Sequence, residues 1–151
     1  MKNLVIDIGN SSVSMCIFNN DLIIDSLKMS YKEMSERKLS ILDNKINFKK
    51  FNILISSVVP LADKIFKDYF NKKLIKIFFL RDFLKKVNIK TNIINKKEIG
   101  EDRLANMIYA KKKFKKSLIL IDFGTATTFD VLDKNGIYHG GVITPGIDIS
   151  L

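Results

Sequence analysis

Two segments of the sequence place an aspartate directly after an apolar run and a glycine two residues later. In the second of them, Leu118–Ile121 leads into Asp122 and Gly124. Three hydroxyls follow, those of Thr125, Thr127 and Thr128. The pattern predicts a β-hairpin with a buried first strand over 118–121 and a return strand over 126–132. Backbone N–H groups and hydroxyls suit phosphate oxygens, and a carboxylate suits the Mg²⁺ that accompanies phosphates. The hairpin is therefore a candidate phosphate site.

The first segment opens the chain with Leu4–Ile6 and then Asp7, Gly9 and Asn10. When Asp7 is placed on Asp122 without a gap, the further matches are Gly9 on Gly124, Asn10 on Thr125, Ser12 on Thr127 and Cys16 on Val131. A repeat at this wide spacing indicates duplicated lobes. One Asp-x-Gly is common in ordinary turns, whereas a matched pair favours two hairpins that bind a polyphosphate from both sides.

A third group of chemically capable residues, Gly100–Arg103, opens a predicted helix. Asp102 in the first turn is favoured by the helix dipole, and Arg103 has Glu98 and Glu101 as possible ion-pair partners. The functional interpretation is that Asp102 accepts a proton from a substrate hydroxyl while Arg103 holds a substrate carboxylate in a bidentate fork. Spacing alone leaves both interpretations open.

Composition narrows the class of protein. The chain has 151 residues, a 46% hydrophobic fraction and a net charge of +10, which fits a globular protein with one good core or two small ones. Its basic residues are scattered lysines with only three arginines, Arg37, Arg81 and Arg103, which disfavours nucleic-acid binding. The single cysteine, Cys16, indicates a reducing compartment. With no signal peptide and no membrane span, we expect a cytoplasmic protein.

Periodicity predicts an α/β protein with two lobes, residues 1–116 and 117–151. The expected strands are 3–8, 12–18, 22–28, 51–59, 74–80, 118–121, 126–132 and 137–144. The expected helices are 31–43, 61–70, 81–87 and 98–116, and 88–97 is predicted to be a loop or edge strand. In the last helix the inward residues are predicted to be Leu104, Met107, Ile108 and Phe114. Each lobe opens with an antiparallel three-strand meander, but the second has no helix of its own to cover the sheet, so we expect it to be incomplete.

Four blocks of this sequence resemble the type III pantothenate kinases of the acetate kinase–hexokinase–Hsp70–actin superfamily. They are Asp7–Asn10, Ile55–Pro60, Gly100–Asn106, and Asp122–Thr128 with the later Gly140–Ile143 and Pro145-Gly146. The resemblance spans nearly the whole chain. It implies an actin-like, ribonuclease H-like ATPase fold and the transfer of phosphate from ATP to pantothenate, the first step of coenzyme A synthesis.

The resemblance also implies roles for single residues. Asp102 is the expected catalytic base, and the expected substrate-binding residues are Gly100, Asp102 and Arg103. The expected ATP and phosphate contacts are Asp7, Gly9, Asn10, Gly124 and Thr125. Asp7 and Asp122 are the expected metal residues, for Mg²⁺ with ATP and a monovalent cation, K⁺ or NH₄⁺. Members of the family are homodimers.

Two features depart from the family pattern. Residues 92–97 lack the tyrosine and proline that usually precede the Gly-x-Asp-Arg block, and family enzymes run roughly 100 residues longer, about one small domain. We therefore expect a C-terminally truncated kinase that lacks the adenosine pocket and has no appreciable activity by itself. The alternatives are a non-catalytic nucleotide-binding regulator on the same fold and an inactive fragment of a kinase.

Overall fold

The computed structural model describes residues 2–84, 90–91 and 99–150. The chain divides into two compact units, Met1–Phe83 and Leu84–Leu151, and each contains one β-sheet. The predicted division between residues 116 and 117 concerns a duplication of lobes and stays a prediction. No helix in the described part of the chain is long and apolar enough to cross a membrane.

The first unit is built on a five-stranded sheet in the order β3-β2-β1-β4-β5. Its strands are β1 (Lys2–Ile8), β2 (Ser12–Asn19), β3 (Leu22–Ser30), β4 (Phe51–Ser57) and β5 (Ile77–Phe79). The first three form the predicted antiparallel meander. Strand β4 pairs with β1 in parallel, and β5 pairs with β4 in parallel. Alternate residues of β1 are fully buried, among them Leu4 and Ile6, because one face of the sheet carries the core.

Three helices belong to this unit, α1 (Glu36–Ile46), α2 (Pro60–Lys72) and α3 (Leu80–Leu84). The predicted helix over 31–43 begins later, because Ser35 caps α1 by accepting from the N–H of Lys38, and Tyr31–Glu33 forms a separate 3₁₀ turn. The predicted strand over 74–80 is shorter, because Leu74 has a left-handed backbone (φ 55°) where α2 ends. Residues 85–87 of the predicted third helix lie outside the described residues.

The second unit is built on a three-stranded antiparallel sheet of β6 (Leu118–Phe123), β7 (Ala126–Leu132) and β8 (Tyr138–Pro145). Helix α4 (Glu101–Lys113) covers one face of this sheet, so the expectation that the second sheet has no covering helix is wrong. The short α5 (Ile147–Ser150) follows β8. The core between α4 and the sheet is made by the fully buried Met107, Leu132 and Tyr138, with Leu104 and Leu120 packed against them. The predicted loop over 88–97 lies mostly outside the described residues, although Thr91 makes a parallel bridge to Tyr138.

Two burial predictions for this unit are wrong. Strand 118–121 is not buried on both faces, since Ile119 is 66% exposed and Phe123 is 67% exposed. The reason is that successive strand residues point to opposite faces and α4 covers only the face that carries Leu120. Phe114, predicted to be inward, is exposed, because α4 ends at Lys113 and Phe114 continues with an extended backbone.

The two hairpins differ by one residue at the turn, so the ungapped match is wrong for the return strands. Asp7 lies opposite Ser14, seven residues on, whereas Asp122 lies opposite Thr128, six residues on. The first turn therefore has one more residue. By register, Ser12 corresponds to Ala126 and Cys16 to Asp130, each one position earlier than the ungapped match gives.

Candidate functional site

Asp7 lies near the carboxyl end of the central strand of the first unit. Its Cα partners are Ser14 on β2 and Ser56 on the parallel strand β4. Directly opposite residues share a face of a sheet, so the Asp7 carboxylate lies between two serines. The turn after it is closed by a hydrogen bond from the Gly9 N–H to the Ser12 carbonyl (2.9 Å), and Asn10 beside it is exposed. Carboxyl ends of parallel strands are where open α/β sheets bind ligands.

Asp122 lies at the matching place on β6 and is half-buried. Its Oδ2 accepts a hydrogen bond of 3.1 Å from the Asn106 side-chain amide on α4. Thr128 lies opposite it on β7, and the Thr128 hydroxyl is buried without a hydrogen-bond partner among the described residues. A buried polar atom is rarely left unpaired. The pair therefore offers a carboxylate and an unused hydroxyl on one face of the sheet.

The turn between β6 and β7 is held by the segment that follows β8. The Gly146 N–H donates to the Thr125 carbonyl (3.1 Å), and a Cβ at Gly146 would overlap the carbonyl oxygens of Gly124 and Thr125. Only glycine fits this close approach, which explains Pro145-Gly146 as part of the turn. Of the predicted hydroxyls, that of Thr125 is on an exposed residue, whereas Thr127 is buried and is not available at the surface.

Asp102 lies in the first turn of α4, and its carboxylate folds back on the helix. Its Oδ1 accepts a hydrogen bond from the Arg103 backbone N–H (2.8 Å). A Cβ at Gly100 would overlap that oxygen, so the glycine leaves room for this position of the carboxylate. Asp102 and Asn106 are four residues apart and therefore share one side of the helix, the side on which Asn106 contacts Asp122. The proposed base and the second-hairpin carboxylate thus face the same side.

Arg103 points instead to the sheet and is paired with Asp130 on β7. Nε lies 3.0 Å from Asp130 Oδ2, and Nη2 lies 2.6 Å from Oδ1. Nη2 also donates to the Tyr138 hydroxyl (2.7 Å), and that hydroxyl donates to Asp130 Oδ1 (2.7 Å). All three residues are buried. The fork predicted to hold a substrate carboxylate is thus occupied by Asp130, which the spacing did not suggest as a partner. Of the two partners considered from spacing, Glu98 lies outside the described residues.

This group, Arg103, Asp130 and Tyr138, is called the arginine cluster below. The hydrogen bond to Asp130 raises the pKa of Arg103, whose charge is thereby fixed. Burial, followed by the hydrogen bond to Asp130, raises the pKa of Tyr138 to about 12, so its hydroxyl stays protonated and donates. Gly141 lies directly opposite Asp130, and a Cβ there would lie 2.6 Å from Asp130 Oδ1 and 2.8 Å from Arg103 Nη2. The second glycine of Gly140-Gly141 makes room for the cluster.

Sequence reasoning missed Asp130, Tyr138 and Asn106. The available signal for Asp130 was a carboxylate at an inward position of an alternating strand, between Thr128 and Leu132. An ionised side chain is rarely buried unless it is paired, so a carboxylate at such a position predicts a positively charged side chain beside it. Arg103 was one of only three arginines in the chain.

The residues present fit a metal ion that is held mainly by phosphates. Among the described residues, no group of three or more histidine, cysteine or acidic side chains is gathered for a metal, so a cage made by the protein alone is not formed. Mg²⁺ in kinase sites is bound by one or two carboxylates together with substrate phosphates and water. The Asp7 carboxylate between Ser14 and Ser56 meets that requirement, and the Asp122 carboxylate with the unpaired Thr128 hydroxyl beside it is a second position that suits a cation.

Comparison with known proteins gives a family and a fold. The profile of the family described as type III pantothenate kinase matches residues 3–151. A type III pantothenate kinase of Pelagibacter ubique is 43% identical over 155 residues, which cover 98% of this chain and 60% of the relative. One of Geotalea daltonii is 35% identical over 160 residues, 98% of this chain and 61% of the relative. The chain thus spans about three-fifths of the length of these curated relatives.

Two solved structures share the fold at low sequence identity. The Aquifex aeolicus Ppx/GppA phosphatase superposes with a TM-score of 0.57 at 14% identity, covering 99% of this chain and 54% of that one. The activator of the 2-hydroxyisocaproyl-CoA dehydratase from Clostridium difficile, solved with bound ADPNP, gives 0.52 at 15% identity, covering 96% of this chain and 46% of that one. These matches confirm the predicted actin-like fold class.

Proposed function

Because the chain belongs to the type III pantothenate kinase family, we propose that it carries the catalytic and phosphate-binding groups of an ATP-dependent pantothenate kinase. One observation in particular supports the proposal. Helix α4 supplies both Asp102 and Arg103, and it is joined to the second phosphate hairpin through the contact between Asn106 and Asp122. One compact unit therefore carries the proton acceptor Asp102, the carboxylate-binding Arg103 and the phosphate-binding turn after Asp122.

In this proposal each group has a separate task. Asp102 accepts the proton of the pantothenate hydroxyl as that oxygen attacks the γ-phosphorus of ATP, and Arg103 binds the pantothenate carboxylate. Each of the two turns is a phosphate-binding element, the first with Asp7, Gly9 and Asn10 and the second with Asp122, Gly124 and Thr125. Gly100 shapes the substrate side. Mg²⁺ supplies charge neutralisation on the phosphates when ATP is bound. Phosphoryl transfer depends on alignment and charge more than on covalent chemistry, and these residue types suit both.

Three further features belong to the proposal. A monovalent cation, K⁺ or NH₄⁺, binds at Asp122 with Thr125 beside it. The working enzyme is a homodimer, and it acts in the cytoplasm, which agrees with a single cysteine in the chain.

The test is a fusion of this chain to the part of the Pelagibacter ubique relative that lies outside the matched region, about two-fifths of its length. The fusion is expected to phosphorylate pantothenate with ATP and Mg²⁺, whereas the 151-residue chain alone is expected to show no appreciable turnover. Asp102→Asn in the fusion is expected to keep ATP binding and to lower turnover by about 10² or more, the usual scale for a general base. Asparagine keeps an acceptor for the Arg103 N–H, so the helix start is preserved.

The outcomes separate clearly. A folded fusion that binds ATP and turns over no pantothenate, beside an active relative, contradicts the proposed activity of this chain. Turnover of Asp102→Asn within a few-fold of the parent fusion contradicts the role of Asp102 while leaving the activity in place.

A further inference from the structure

The arginine cluster leaves one nitrogen of the Arg103 guanidinium unused. Nε and both hydrogens of Nη2 are directed to Asp130 and Tyr138, which accounts for three of the five N–H donors that a guanidinium has. Among the described residues Nη1 has no hydrogen-bond partner, and it is not one of the buried nitrogens left unsatisfied. The two N–H groups of Nη1 are therefore the part of Arg103 that a ligand reaches.

We propose that Asp130 and Tyr138 are positioning residues that fix the Arg103 guanidinium so that Nη1 alone presents its two N–H groups to the substrate carboxylate. The proposal rests on the function proposed above, in which Arg103 binds pantothenate. It replaces the bidentate fork with a carboxylate bound at one nitrogen, since the fork itself is filled by Asp130.

The geometry explains why two partners are needed. Asp130 alone binds the Nε and Nη2 side and places the plane of the guanidinium. The Tyr138 hydroxyl accepts a hydrogen bond from the second N–H of Nη2 and donates one to Asp130 Oδ1. Each polar group of the cluster except Nη1 therefore has a hydrogen-bond partner. A fully satisfied buried network holds one arrangement, and a fixed donor loses less entropy when a ligand binds.

Arg103→Lys cannot test this, because it removes the partner of a buried carboxylate as well as the substrate contact. Tyr138→Phe removes only one hydroxyl and keeps the buried ring. Tyr109→Phe is the matched control, since Tyr109 is an exposed tyrosine on α4 itself. Asp130→Asn keeps the shape of the side chain and removes the charge.

The first measurement follows Arg103 directly in the 151-residue chain by ¹⁵N NMR of the guanidinium groups. With only three arginines, each group is assigned by single substitution. In the parent chain the two Nη signals of Arg103 are expected to be separate, because rotation is hindered, and in Tyr138→Phe and Asp130→Asn they are expected to broaden or merge. Tyr109→Phe is expected to match the parent. Separate signals that persist in both cluster variants overturn the positioning role.

The second measurement compares kinetic constants in the fusion. Tyr138→Phe is expected to raise the KM for pantothenate roughly tenfold, the value of one hydrogen bond to a charged group, with the KM for ATP and kcat near the parent values. Equal rises in both KM values would assign the cluster to folding alone and overturn the proposal. If the NMR effect is present and no KM changes, the guanidinium is positioned but does not bind pantothenate, and the assigned substrate role of Arg103 is wrong. An inactive parent fusion refutes the proposed function itself, while the NMR result still decides the positioning.

Discussion

Gly141→Ala is expected to destabilise the second unit strongly. The new Cβ would overlap the Phe129 carbonyl and lie 2.6 Å from Asp130 Oδ1 and 2.8 Å from Arg103 Nη2. The first of these atoms belongs to the backbone of the paired strand β7, so it cannot rotate away. β8 must therefore shift away from β7 at this point, and Asp130 and Arg103 must move as well.

Two known costs bound the expected loss of unfolding free energy. Overpacking of a well-packed region costs about 1–3 kcal/mol, and the loss of one partner of a buried ion pair costs about 3–5 kcal/mol. Gly141→Ala removes neither partner of the pair, so we expect a value at the upper end of the overpacking range, a loss of about 3 kcal/mol of unfolding free energy. That is a large part of the roughly 5–15 kcal/mol by which domains are stable.

Gly124→Ala is the control, because a Cβ there would lie 3.5 Å from its nearest neighbour, the Ala126 carbonyl, which is ordinary contact. It is expected to change the unfolding free energy by less than about 1 kcal/mol and in the stabilising direction, because alanine at a backbone position it can adopt restricts the unfolded chain. The chain has no tryptophan, so urea unfolding should be followed by far-ultraviolet circular dichroism. Equal unfolding midpoints for the two variants would refute the account of Gly141.

Two further predictions concern the tyrosine titration and the exposed sheet face. Burial and the hydrogen bond to Asp130 raise the pKa of Tyr138 to about 12, above the value near 10 of an unfolded tyrosine. Its contribution to stability is therefore full below about pH 10 and is lost as pH rises through 12. The tyrosinate absorbance of the parent minus that of Tyr138→Phe should have its midpoint near 12, and a midpoint near 10 would show that the hydroxyl is neither buried nor bonded to Asp130. The face of the second sheet that α4 does not cover carries five exposed apolar residues, Ile119, Ile121, Phe123, Val131 and Val142. We therefore expect light scattering to show that the 151-residue chain self-associates as its concentration rises, and that Ile121→Lys reduces this association. A monomer at every concentration would contradict the prediction.

The strands and the two Asp-x-Gly hairpins follow from local pattern. Alternation with turn residues at Asn19-Asn20 gives β2 and β3, and the apolar run before Pro60 gives β4, because these signals lie within one element. The helix that carries Asp102 and Arg103 is equally local. Its predicted bounds, 98–116, were too wide, since the helix begins at Glu101 after Gly100 and ends at Lys113.

The arginine cluster depends on distant contacts and could not be read from spacing. Arg103 meets Asp130 across 27 residues and Tyr138 across 35. The meeting requires the register of β7 with β8, which shifts by a bulge between Val131 and Leu132, and the placement of α4 on one face. The length of the turn after Gly9 could not be predicted from the sequence for a similar reason. It follows from the pairing register of the two strands, which only the structure gives.

The one-residue difference between the hairpins has a consequence for the history of the chain. At the register position where the second copy holds Asp130, the first copy holds Cys16, a half-buried free thiol. If both descend from one ancestral hairpin, the ionic link to a helix arose, or survived, in only one descendant. The two positions should therefore tolerate substitution unequally. Cys16→Ala should change the unfolding free energy little, whereas Asp130→Ala should destabilise the protein because it leaves the buried Arg103 guanidinium without its carboxylate partner.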